Sequence, residues 1–122
     1  MSLIVYTFRI DCDSGKYIEE DLDLIEPGKE LAGFESWRTE VYNSTIVKSL
    51  GAKFLPTLAN SNLYVHNQEI EDFETEVKLL LDNVNDISNS INIDYKIIEF
   101  RLNNILQAIA RAIKQNGGII IA

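Results

Sequence analysis

Hydrophobic residues along this chain recur at two spacings, and the longest stretch of the helical one lies near the C-terminus. From Asp94 onward, Tyr95, Ile98, Leu102, Ile105, Leu106, Ile109, Ala112 and Ile113 fall within one arc at about 100° per residue. Lys96, Asn103, Asn104, Gln107, Arg111 and Lys114 gather opposite. The pattern predicts one long helix whose apolar face is wide enough for two neighbours. Asp94 suits the N-cap, where it accepts from free first-turn amides, and Ile93 with Ile98 occupy the positions of a hydrophobic staple. Arg111 and Lys114 lie near the negative pole, and Gly117 is placed to take the left-handed conformation that ends the helix. Ile119-Ile120-Ile121 has no polar alternate position, as expected of a central strand covered on both sides.

The other end of the chain has the strand period. Leu3 to Ile10 ends in alternation, with Ile4, Tyr6, Phe8 and Ile10 on one face and Thr7 and Arg9 on the other, and this strand is expected beside Ile119–Ile121. Asp13-Ser14-Gly15-Lys16 reads as a turn. Tyr17 to Glu26 is either a hairpin partner of the first strand or an acidic loop; the alternation of Asp21 and Asp23 with Leu22 and Leu24 favours the strand. Glu26-Pro27-Gly28-Lys29 has the residues of a type II turn.

From Phe34 the spacing is helical through Trp37, Arg38, Val41 and Tyr42, with a break at Asn43-Ser44. Ser44 suits the N-cap of a short second helix, Gly51 its terminator, and Pro56 keeps the following segment out of a helix interior. Leu63-Tyr64-Val65 reads as a short strand. A further helix starts between Asn67 and Asp72, with an apolar stripe of Phe73, Val77, Leu80, Leu81, Val84 and Ile87. The short link around Ser90-Ile91-Asn92 predicts that it packs antiparallel on the long helix as an αα-hairpin. The expected fold is therefore α+β, a single domain over residues 1–122: a small sheet of two to four strands against an antiparallel αα-hairpin and shorter helices.

Composition narrows the function classes. The 122 residues are 46% hydrophobic, enough for one core and too few for two domains. No apolar run approaches the roughly 20 residues of a membrane span, and Met1 to Ile10 lacks a signal-peptide pattern, so a cytoplasmic protein with no membrane contact is expected. The net charge of −8 repels nucleic acid phosphates and favours a basic protein as partner, although acidity also serves solubility alone.

Chemistry-bearing motifs are sparse. Asp11-Cys12-Asp13 does not continue as a calcium loop, because Lys16 and Leu22 stand where glycine and a bidentate carboxylate are needed, and no metal site is expected. Cys12, the one cysteine, lies between two carboxylates that disfavour a thiolate. His66, the one histidine, has no Gly-x-Ser-x-Gly elbow to serve, and Gly117-Gly118 lies between helix and strand, the wrong direction for a nucleotide loop. No catalytic residue and no cofactor is therefore nominated.

Candidate interaction residues remain. Glu19, Glu20, Asp21, Asp23 and Glu26 form one acidic segment, and Glu69, Glu71, Asp72, Glu74 and Glu76 a second around a helix start. Trp37-Arg38 is a candidate interface anchor, weighed against core packing of Trp37 with Phe34 and Val41.

Gly33-Phe34-Glu35-Ser36-Trp37-Arg38, Leu50-Gly51-Ala52-Lys53-Phe54-Leu55-Pro56 and Asn116-Gly117-Gly118-Ile119 together resemble segments of small uncharacterised bacterial proteins. Some of those are similar in size and acidity to immunity proteins that neutralise a toxin. The resemblance implies a non-catalytic inhibitor or adaptor and assigns no residue a role. Three readings follow: an acidic interaction domain for a basic protein, a small hydrolase using His66 with carboxylates, and a structural domain that associates with a second copy of itself.

Overall fold

A computed structural model describes residues 1–122. The architecture is α+β. Its strands are β1 (Ser2–Ile10), β2 (Tyr17–Glu19), β3 (Leu31–Phe34), β4 (Leu63–Val65) and β5 (Gly118–Ile121). The helices are α1 (Trp37–Glu40), α2 (Thr45–Ser49), α3 (Ile70–Asp82), α4 (Val84–Ile91) and α5 (Tyr95–Lys114). The sheet is antiparallel in the order β2-β1-β5-β4, and β3 also pairs with β1. It has five strands, one beyond the expected range, because Leu31–Phe34 forms a strand that ends at Phe34, the residue from which helical spacing is expected. Leu31-Ala32-Gly33-Phe34 contains no polar residue and so shows no alternation. No helix is long and apolar enough to cross a membrane.

The caps read from sequence hold. Asp94 accepts from the Lys96 amide at 2.9 Å, and Ser44 Oγ from the Val47 amide at 3.4 Å. The Glu26–Lys29 turn closes with a 3.0 Å backbone bond, with Gly28 at φ 92°. The end of α5 differs in one position. Asn116, not Gly117, takes the left-handed conformation, at φ 54°. The glycines that follow serve close approach instead: a Cβ on Gly117 would lie 2.1 Å from the Phe8 carbonyl oxygen, and one on Gly118 2.2 Å from that of Val65. The chain thus passes from α5 into the centre of the sheet only because both side chains are missing.

α5 packs across β1, β3 and β5 and against α3 and α4. Of the expected stripe, Phe73, Val77, Leu80, Val84 and Ile87 are buried and Leu81 is partly buried against them, although the helix is interrupted at Asn83, whose side-chain amide donates to the Leu79 carbonyl at 2.8 Å. Asn104 is a second difference. Read on the polar arc of α5, it is buried and donates to the carbonyls of Gly28 (3.0 Å) and Leu31 (2.8 Å), fixing the turn before β3 to the helix.

Burial decides which face of β1 meets the helices. Leu3, Val5 and Thr7 are buried toward the helices, whereas Ile4 and Tyr6 are half-buried and Ile10 is exposed. The inward Thr7 is made tolerable by full pairing: its hydroxyl accepts from Gln115 at 2.8 Å and its amide donates to Glu20 at 2.9 Å. Phe8 and Ile120 are buried as well, yet both lie outside the main core cluster that holds Leu3, Val5, Ile119 and Ile121. The sheet therefore has one face covered by helices and one left open.

Candidate functional site

Strand register assembles the open face. Residues directly opposed across antiparallel strands point to the same side. Tyr64, Ile120 and Tyr6 lie in one row across β4, β5 and β1; Gly118, Phe8 and Glu19 lie in the next; Ile10 and Tyr17 follow. Gly118 leaves its place in the second row bare, and the Phe8 ring lies over it, so close that a Cβ there would sit 2.6 Å from the ring. Tyr17 and His66 then flank Phe8 edge-on, with centroids at 5.2 Å and 5.7 Å.

The result is a depression of about 230 Å³ lined by Phe8, Tyr17, Glu19, Tyr64, His66 and Ile120. Phe8 and Ile120 are its buried members, while Tyr17 and Tyr64 stand 61% and 56% exposed on opposite sides. Glu19 supplies the one carboxylate and forms no ion pair; the three salt bridges of the protein join Arg38 to Glu35, Lys78 to Glu74 and Arg111 to Glu20. Its field is felt next door, since partial burial, with Glu19 and then Tyr64 adding to it, raises the Tyr6 phenol above its ordinary range.

A second, larger cleft of about 350 Å³ shares Phe8 and His66 and extends over Arg9, Cys12, Asn67, Gln68, Gln115 and Asn116. Cys12 is exposed there. His66 borders both hollows and shares the first with Glu19, yet no hydrogen bond joins its ring to a carboxylate, and neither hollow is lined by a serine. In the nearby turn, Asp11 accepts from the Ser14 hydroxyl at 2.7 Å and the Asp13 amide at 3.4 Å, bonds that hold its carboxyl below the usual range.

The structure separates the acidic segment that looked continuous. Glu19 faces the open sheet. Glu20 turns inward, where its carboxylate accepts from Arg111 Nε (3.1 Å) and Nη2 (2.9 Å) and from the Thr7 amide, in place of the pairing a longer β2 would give. Asp21 accepts from the Asp23 amide at 2.9 Å and starts a 3-10 turn over Leu22–Leu24. Asp23 and Glu26 are exposed; Glu26 borders a different hollow, shared with Lys29, Gln107 and Arg111. In the second acidic segment Glu76 is only 7% exposed and accepts from the amides of Lys53, Phe54 and Leu55. It caps the 3-10 helix Leu55–Ala59, so it is structural and offers nothing to a partner.

Of the two roles weighed for Trp37, burial places it in core packing. Trp37 is 3% exposed and packs edge-on against Phe34 and Tyr42, beneath Gly33. The Arg38 guanidinium is spent on the carbonyls of Leu58 (3.1 Å) and Ser61 (3.0 Å), on Asn62 Oδ1 (2.7 Å) and on Glu35. Those bonds fix the loop that leads into β4. Sequence reading missed Phe8, Tyr17 and Ile120 as surface neighbours. The available signal was Tyr6-x-Phe8-x-Ile10, an aromatic alternation that also suits a core.

The fold and this surface define an α+β domain with a one-sided helical layer and an open aromatic sheet face. Compared with protein-family models, curated proteins and solved structures, the chain matches none.

Proposed function

We propose that this chain is a non-catalytic, acidic protein-interaction domain that binds a basic protein in the bacterial cytoplasm through the open sheet face, in the manner of an immunity protein or adaptor. One observation carries the reading: an unpaired carboxylate, Glu19, stands among exposed tyrosines on a sheet face that no helix covers. Tyrosines supply large contact area at low entropic cost and dominate binding hot spots. The net charge of −8 adds long-range attraction for a cationic partner. The same charge opposes self-association through this face, because two copies brought together there would set Glu19 against Glu19.

The test compares capture by wild type with capture by Tyr64→Ala and Glu19→Lys, at low and at high salt, from cells that produce the protein. A basic protein retained by wild type, weakened by salt and lost from both variants is the expected result. Retention that is indifferent to salt and to both substitutions would overturn it.

A further inference from the structure

Resting on that reading of the open face, we infer that the hollow between Tyr17 and Tyr64 is a receptor for one arginine side chain of the partner, with Glu19 as the acceptor of its guanidinium.

The chemistry of the lining selects the occupant. Rings of Tyr17, Tyr64 and Phe8 border a depression whose one formal charge is negative. Aromatic faces attract cations through their quadrupole, most strongly where water is thinned out, and Arg is the commonest protein cation in such contacts. A carboxylate free of internal partners offers two oxygens to a planar fork of N–H donors, which an arginine fills with two parallel bonds and a lysine cannot. The volume of about 230 Å³ suits a side chain and is small for a folded segment.

Contrast within the molecule supports the assignment. Glu20, one residue on, already holds a guanidinium in this way, that of Arg111, on the helix side of the sheet. Alternation along β2 turns Glu19 to the other side, where the aromatic rings are present and the arginine is not. An uncharged apolar occupant would strand the Glu19 carboxylate under cover, and an acidic one would be repelled by it. A second copy of the chain carries the same net charge of −8 and is disfavoured on the same ground.

The experiment titrates isotopically labelled protein with N-acetyl-arginine methylamide and follows amide and aromatic NMR shifts. The citrulline and lysine analogues are run in parallel. Saturable shifts at Tyr17, Glu19, Tyr64 and Gly118 are expected, with binding roughly tenfold weaker for citrulline, which lacks the charge. Glu19→Gln should weaken arginine binding by a similar factor while leaving the dispersion of the remaining spectrum intact. Shifts of equal size with citrulline or lysine, or shifts elsewhere in the protein, would overturn the assignment. The two proposals fail separately. A partner that needs Tyr64 and Glu19 while free arginine leaves the hollow unperturbed would remove the arginine receptor and keep the interaction domain. Arginine binding in the hollow with no salt-sensitive protein partner would do the reverse.

Discussion

The two faces of the sheet are built from the same kinds of residue and put to different uses. On the helix side, Leu3, Val5, Ile119 and Ile121 join a continuous core with α3 and α5, and two polar intruders are paired there, Thr7 with Glu20 and Gln115, Tyr42 with the Ala32 carbonyl. On the open side, Phe8, Tyr17, Tyr64, His66 and Ile120 line one hollow, and Glu19 beside them forms no ion pair. Adjacent glutamates show the difference most directly: Glu20 is consumed in holding β1 to α5, whereas Glu19 is free to meet something else. Stability should therefore reside on one face and recognition on the other.

The largest stability loss should come from the helix side at Glu76. Replacing it with Ala strands three backbone amides and is expected to cost about 3 kcal/mol or more in urea unfolding, since hydrogen bonds to a buried charge are the costly ones to lose. A cost near zero would mean that the 3-10 helix it caps is irrelevant to stability.

Tyr42 gives the next effect and a pH signature. Its hydroxyl donates to the Ala32 carbonyl inside the core, and burial pushes its ionisation well above the ordinary tyrosine range, the Arg101 charge opposing this only in part. An unfolded tyrosine ionises near pH 10 while the folded one stays protonated, so the folded state binds more protons above that pH. The contribution is fully present below about pH 10 and is lost as pH rises beyond it, at about 1.4 kcal/mol per pH unit for one proton. Tyr42→Phe should lose about 1–2 kcal/mol at neutral pH and flatten that alkaline slope, read from urea midpoints at a series of pH values. An unchanged slope would place the alkaline sensitivity elsewhere.

The smallest effect sharpens the comparison of faces. Glu20→Gln, which weakens a partly screened ion pair and a backbone bond, should cost about 1 kcal/mol, and Glu19→Gln less than about 0.5 kcal/mol. The rank should invert for partner capture, where Glu19→Gln is the damaging change. Equal costs for both in both assays would erase the distinction between the faces.

Much of the fold was legible along the chain. Asp94 and Ser44 cap where their neighbours said they would, the stripe from Phe73 to Ile87 is buried, and Ile119–Ile121 is the strand beside β1. The candidate surface was legible only in fragments. Glu19 stood in a row of acids that one dimension cannot sort, and Tyr64 appeared as an isolated aromatic. The inward face of β1 is undecided along the chain for a physical reason: Leu3, Ile4, Val5 and Tyr6 are apolar on both sides, so either face satisfies the pattern, and Thr7 is accommodated inside only through its partners Glu20 and Gln115.

What the sequence determined by itself is therefore local: helix limits, turns, the α+β class and the acidity, each set by interactions spanning a few residues or by composition. The tertiary structure alone decided which side of the sheet the helices cover and which residues meet on the other. Phe8, Glu19, Tyr64 and Ile120 lie far apart along the chain, and strand register brings them within one hollow. Register is fixed by long-range packing of α5 and by two glycines that admit β5 to the centre of the sheet, contacts that no short window of sequence contains.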